Sequence, residues 1–180
     1  MVSLDAASFD FQSMNGGKSC PDIFDRMKAS HGQLRFLMAR LRQSRDGAPE
    51  GRRLFDMLCD AVEAYGAASE QSLYAELLAY AEQENKWPAR HAVGVHDMSQ
   101  LLLFELSSME MAGDAWRAGI GQLAKYLEDH FRAEAGEIFR LAKTLLHSEQ
   151  AARLGDKYEQ ARLRWIECFG RVPATSQAGL

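Results

Sequence analysis

The sequence predicts an all-α protein, an antiparallel up-down-up-down four-helix bundle with a short fifth helix at its C-terminal end. Three observations predict it. Apolar residues recur every three to four positions along most of the chain, and no stretch alternates with period two for long enough to make a strand. The breaks between periodic stretches are short and carry Gly, Pro, Asp or Asn, and short connections make neighbouring helices antiparallel. The length of 180 residues, with 47% apolar and 26% charged residues, is that of one globular domain.

Residues 1–20 are polar and rich in Gly, Ser and Asn, and read as an irregular arm with Phe9 and Phe11 as anchors. The bundle is expected over 21–170. Ser19-Cys20-Pro21-Asp22 opens the first helix, with Pro near its first turn. Its apolar stripe is Ile23, Met27, His31, Leu34, Met38 and Leu41, and it ends at Ser44-Arg45-Asp46-Gly47-Ala48-Pro49. The second stripe is Leu54, Leu58, Val62, Tyr65, Ser69, Leu73 and Leu77, running to the polar stretch Glu82–Lys86. Trp87-Pro88 opens the third helix, with Ala92, His96, Ser99, Leu103, Leu106 and Met109 on one side. Gly113 breaks the chain, and Asp114 is placed to cap the fourth helix. That stripe is Trp116, Ile120, Leu123, Leu127, His130, Glu134, Ile138, Leu141 and Leu145. Ser148 is placed to cap the fifth helix, whose face is Ala151, Leu154, Tyr158, Ala161 and Trp165. Residues 171–180 read as a flexible tail.

Composition excludes several functions. A net charge of -4 argues against binding nucleic acid or anionic membrane through bulk charge. The N-terminus lacks a basic n-region and an apolar h-region, and no apolar run is long enough to span a bilayer, so a cytoplasmic protein is expected. Three cysteines make no disulfide framework. Cys59 and Cys168 fall on or near apolar faces and read as small core residues, whereas Cys20 stands at a helix start, where a thiol is open to oxidation. Gly17-Lys18-Ser19 matches the tail of a phosphate-binding loop, but Gln12 stands where the first glycine belongs and no strand precedes it. No nucleophile, base and orienting group come together, so a binding protein is expected rather than an enzyme.

The polar residues that interrupt the stripes carry the chemistry. Of five histidines, His31, His96 and His130 stand where a bundle helix wants an apolar side chain. His130 and Glu134 are four residues apart and share one face of one helix. A buried ionised carboxylate needs a cation or strong hydrogen bonds. Counted from the breaks at Gly47 and Gly113, His31 comes level with Tyr65, and His96 level with His130. One histidine on an apolar face is most often a satisfied core residue. Three at matched heights, with a carboxylate, make a bundle-core site for iron, zinc or manganese. His91 lies off the His96 stripe, and His147 follows a helix C-terminus, so both are read as surface residues.

These residues make the chain resemble the hemerythrin-like cation-binding, or HHE, domains over about residues 21–165. Asp22-Ile23-Phe24-Asp25 through His31 is similar to the family's first helix. Ser69-Glu70-Gln71-Ser72-Leu73-Tyr74 is similar to its second-helix signature, Val95-His96-Asp97 to its third-helix motif, and His130-Phe131-Arg132-Ala133-Glu134 to its H-x-x-x-E. Arg153–Glu159 is similar to its usual fifth helix. The resemblance implies a non-haem iron site of one or two ions inside a four-helix bundle, and a role in oxygen, NO or redox sensing or in iron handling. It carries ligand roles onto His31, His96, His130 and Glu134.

The chain departs from the family in helix two, where Tyr65 and Ser69 stand in place of a second His and Glu. A phenol can bind ferric iron, and a serine hydroxyl is a poor ligand. Glu70, one residue on, points about 100° away on an ideal helix and enters only if the helix rotates or kinks. The two-iron site is therefore expected to be incomplete, with Tyr65, Glu70 and Ser69 as additional or supporting residues. Two functions follow. One is a metal-binding sensor or carrier whose partner is a metal ion or a small diatomic molecule. The other is a metal-free bundle that acts through a protein contact, a homodimer among the options, with Tyr65 hydrogen-bonded in its core.

Overall fold

The computed structural model describes residues 21–44, 49–80, 86–111 and 113–171. The expectations for the N-terminal arm, Gly17-Lys18-Ser19 and Cys20 lie outside the described residues, as does the tail from 172. Among the described residues there is no strand. Five helical rods carry the chain. The first is α1 (Ile23–Gln43). The second runs α2 (Pro49–Ser69), a π-helical turn π1 (Glu70–Tyr74) and α3 (Ala75–Tyr80). The third is α4 (Trp87–Ser107). The fourth runs α5 (Asp114–Ala133), a second π turn π2 (Glu134–Ile138) and α6 (Phe139–Leu145). The last is α7 (Ser148–Phe169).

Local chemistry sets the ends. The Asp22 carboxylate accepts from the Asp25 N–H at 3.0 Å and satisfies one of the free donors of α1. Pro88 stands in the first turn of α4, where its missing N–H costs nothing. Two expected caps are displaced by one residue. Gly113, not Asp114, is the N-cap of α5, and Asp114 lies in its acidic first turn. His147, not Ser148, caps α7: its ring accepts from the Gln150 N–H, and the Gln150 amide oxygen accepts from the His147 N–H at 2.9 Å. His147 is exposed, as expected, but it serves the start of a helix rather than the end of one.

The fifth helix is not short. α7 has 22 residues, one more than α1, and packs along α1 and α2. It buries Ala151, Leu154, Gly155, Tyr158 and Ala161. Small residues let it lie close, and Tyr158 reaches inward to donate to Ser30 Oγ at 2.7 Å. Arg26 ties the same pair of helices from outside, 3.1 Å from Asp156 and 3.7 Å from Glu159. Arg171, assigned to the flexible tail from sequence, is held to α2: its N–H donates to Asp60 Oδ2 at 2.8 Å and its guanidinium to Asp60 Oδ1 at 2.8 Å. Cys59 is buried, whereas Cys168 is exposed on α7 and is not a core residue.

The two π turns change which residues face inward. A π turn adds one residue to a helix and shifts the register downstream of it. After π2 the buried side is Phe139 and Ala142, and Leu145, expected on the stripe, is 39% exposed. At π1 three successive residues, Ser72, Leu73 and Tyr74, are all buried.

Gly155 is the tightest point between α7 and the start of α1. A Cβ there would lie 2.9 Å from the Asp22 carbonyl carbon and from the Pro21 oxygen, both backbone atoms. Gly155→Ala is expected to lower unfolding free energy by about 1–3 kcal/mol, the usual cost of overpacking. Gly121→Ala, where the added Cβ meets nothing within 4 Å, is expected to hold or raise it by up to about 1 kcal/mol. Urea unfolding of the two variants measures both, and equal effects would contradict the close packing of α7.

Candidate metal centre

The polar residues of four rods meet in the core. His31 comes from α1, Tyr65 from α2, His96 from α4, and His130 and Glu134 from the α5–π2 junction. All five are buried, and Glu134 is fully so. The level matching expected from the chain breaks brings these residues together. Phe131 stacks on the His31 ring at 4.1 Å between centroids, and Phe139 lies parallel to it at 6.3 Å. These aromatic neighbours fix the ring so that its Nε2 faces the centre. Gly66 faces His96, and a Cβ there would sit in van der Waals contact with the ring, 3.4 Å from Cγ and Nδ1.

Glu134 is the hub. His31 Nε2–H donates to its Oε2 at 2.7 Å, and the Tyr65 hydroxyl donates to the same oxygen. The Tyr74 hydroxyl donates to Oε1. Tyr65 Oη also lies 3.2 Å from His31 Nε2 and 3.2 Å from His130 Nε2. His96 completes the group, with its Nε2 3.2 Å from His130 Nε2. Glu70 Oε1 lies 2.8 Å from His96 Nδ1. A carboxylate only accepts, so Nδ1 carries the proton and Nε2 turns a lone pair toward His130.

Burial and hydrogen bonding oppose each other at these groups. Burial pushes the Glu134 carboxyl upward, but the hydrogen bond from His31, the neighbouring His130 and His31, and the hydrogen bond from Tyr65 outweigh it and hold the group at about 2. Burial pushes His130 down to about 4, against the upward pull of Glu134. Tyr65 and Tyr74 are raised well above the ordinary phenol value, by burial first and by the Glu134 charge second. The core thus holds an ionised carboxylate, a neutral His130 and two protonated phenols.

The supporting residues named from sequence separate here. Tyr65 sits at the middle of the group. Ser69 does not join it: its hydroxyl donates back to the Tyr65 carbonyl at 2.8 Å, the usual habit of a serine inside a helix. Glu70 reaches the outer nitrogen of His96 rather than the centre, and the wide turn π1 starts at this residue. His91 is exposed. Tyr74 was missed. Its place at the end of the second-helix signature Ser69–Tyr74 was a signal, but the π turn that aims its hydroxyl inward is not written in the apolar period. Among the described residues, no three His, Cys, Asp or Glu donors already surround a common point suited to a metal ion. The Tyr65 hydroxyl lies between them instead.

The family model of the hemerythrin HHE cation binding domain matches residues 22–142. The chain belongs to the hemerythrin HHE cation-binding domain family. The match takes in His31, Tyr65, His96, His130 and Glu134, and α7 lies beyond it. The crystal structure of a hemerythrin HHE cation binding domain-containing protein from Mycobacterium kansasii is similar in fold, with a TM-score of 0.66. The two share 18% identity, over 83% of this chain and 94% of that one. No curated protein is similar enough to this HHE domain to add a relative. Among the described residues, no helix is long and apolar enough to cross a membrane.

The buried imidazole has a consequence for acid stability in chelator-treated protein. The unfolded chain takes a proton on His130 near pH 6.5 and the folded chain only near 4, so its contribution is full above 6.5 and is lost as pH falls toward 4. Glu134 adds a loss below its ordinary 4.5. Urea unfolding is expected to weaken by on the order of 3 kcal/mol between pH 7 and 4 from His130 alone. His130→Asn is expected to flatten that decline, and an unchanged slope would contradict a neutral, buried His130.

Proposed function

We propose that this HHE domain holds one non-haem iron ion through His31, His96, His130 and Glu134, and that it serves in oxygen, NO or redox sensing or in iron handling. One observation carries this. Three imidazole Nε2 atoms and a fully buried carboxylate form a chain inside the bundle, from His31 to Glu134 at 2.7 Å, Glu134 to His130 at 3.7 Å and His130 to His96 at 3.2 Å. Two ligands on one ion, each bonded at about 2.0–2.1 Å, lie about 2.9–3.4 Å apart. The separations here are 2.7 Å for His31–Glu134, 3.2 Å for His96–His130 and 3.7 Å for His130–Glu134. The donor types of the set suit one ion, and the Tyr65 hydroxyl that lies between them would have to give way to it or join it.

Each donor is prepared for that role. Glu70 fixes the tautomer of His96, as carboxylates behind metal-bound histidines do. The low value of His130 keeps its ring neutral near pH 7. Tyr65, at the centre, is either a further ligand or the hydrogen-bond donor that holds Glu134. Ser69, turned back on its own helix, brings no second carboxylate, which supports an incomplete two-iron site. Bound iron supplies a one-electron couple and an open position for a small molecule.

The hydrogen bonds favour a second reading at one point. Each oxygen of Glu134 already has a donor, so the core is satisfied without a cation. That is what a metal-free regulatory or protein-binding bundle needs.

Iron content per chain, with a visible spectrum of the ferric protein, separates the two. About one iron per chain is expected, with at least a tenfold loss of affinity in His130→Ala. A phenolate charge-transfer band absent from Tyr65→Phe would make Tyr65 a ligand. Negligible iron, unchanged by His130→Ala, would overturn the metal-binding function and leave the second reading.

A further inference from the structure

Three cations converge on one cavity on the outside of the bundle. The cavity has a volume of about 450 Å³ and is lined by Lys28 of α1, Ala135 of π2, and Phe139, Arg140, Lys143 and Thr144 of α6. No carboxylate lines it. Phe139 and Ala142 are buried after π2, and the residues that follow them, Arg140 and Lys143, come to the rim three positions apart on one helix face. Elsewhere on the bundle arginines pair with carboxylates, as Arg26 does with Asp156, Arg35 with Glu128, Arg40 with Glu50 and Arg171 with Asp60. Among the described residues, Lys28 and Arg140 join no such pair. Lys143 is held over an aromatic ring instead, with its Nζ 5.1 Å from the centre of Phe24. Phe24 packs edge-on against Phe139, the floor of the cavity, at 5.3 Å between centroids.

We propose that this cavity binds a small organic anion that carries two or more negative charges. Three like charges around one depression repel one another, and an anion between them removes that repulsion. Arg140 offers a planar fork that matches the oxygens of a carboxylate or a phosphate. Lys28, from the other helix, and Lys143 supply point charges, more than a single carboxylate can answer. Phe139 gives an apolar surface for the body of the ligand. Thr144 forms a wall rather than a donor, because its hydroxyl already donates to the Leu141 carbonyl at 2.7 Å. The volume is that of a small-molecule site. A net charge of -4 means that the attraction comes from this cluster and not from the field of the whole chain. The Phe139 ring also lies parallel to that of His31, with centroids 6.3 Å apart, so the cavity adjoins the candidate metal centre. Its ligand chemistry does not depend on a bound metal ion.

Calorimetric titration of citrate, and separately of pyrophosphate, into the chelator-treated full chain at fixed ionic strength tests this. At least one of the two is expected to bind one-to-one with a Kd on the order of 0.1–1 mM. The tighter of them assigns carboxylate or phosphate chemistry to the ligand. Acetate, with one charge, is expected to bind at least about tenfold more weakly. Arg140→Gln and Lys143→Gln are each expected to weaken binding by about tenfold. Lys157→Gln, which removes an exposed lysine on α7 outside the cavity, is expected to leave it within about twofold. All three side chains are exposed, so unchanged helical circular dichroism is expected throughout. Absence of binding by both anions up to about 10 mM would overturn the proposal. So would acetate binding as tightly as citrate and pyrophosphate, or equal losses in Lys157→Gln and the two cavity variants. None of these outcomes bears on iron content, which tests the metal site separately.

Discussion

The structure turns on the burial of the Glu134 carboxylate. An isolated carboxylate in an apolar interior is unstable by several kcal/mol even after relaxation, and the ordinary outcome is that it takes a proton. Here it stays ionised, because His31, Tyr65 and Tyr74 donate to it from three directions. Those donors come from α1, α2 and π1, and Glu134 itself begins π2, so one charge obliges three rods to meet at one height. Removing any donor leaves a buried charge short of a partner. The apolar contacts of the bundle supply bulk stability, whereas Glu134 fixes the register in which the rods pack.

Both π turns lie at this level. π1 begins at Glu70 and ends at Tyr74, and π2 begins at Glu134. A regular α-helix would aim Ser69 and Leu73 at the core and carry Glu70 off to the side. Widening the turn brings in Ser72, Leu73 and Tyr74 together, and lets Glu70 stand behind His96. Both described π turns fall at the polar centre, where they set the aim of its side chains.

This explains how much could be read from sequence. The helical period was legible because it repeats over long stretches. The polar breaks at His31, His96, His130 and Glu134 were legible because each contradicts the apolar face around it. Tyr65 was visible for the same reason. The role of Tyr74 was not, and neither was that of Glu70, because an inserted residue in the helical turn leaves no mark in a three-to-four spacing. The second insertion, at π2, put Leu145 on the wrong side. The length of α7 was underestimated because its inward face is built largely of Ala and Gly, which add little to an apolar stripe but let the helix approach closely. Ser69, expected to be a poor ligand, satisfies itself on its own helix backbone.

The chain is a hemerythrin HHE cation-binding domain whose polar centre sets two phenols, Tyr65 and Tyr74, against Glu134. The most direct test is X-ray absorption at the iron K-edge of the iron-loaded protein. The account predicts a shell of light N and O ligands at about 2.0–2.2 Å, the outer scattering of imidazole, and no iron–iron vector. An iron–iron vector at about 3–4 Å, or a shell without imidazole, would contradict a single ion held by the three histidines and Glu134.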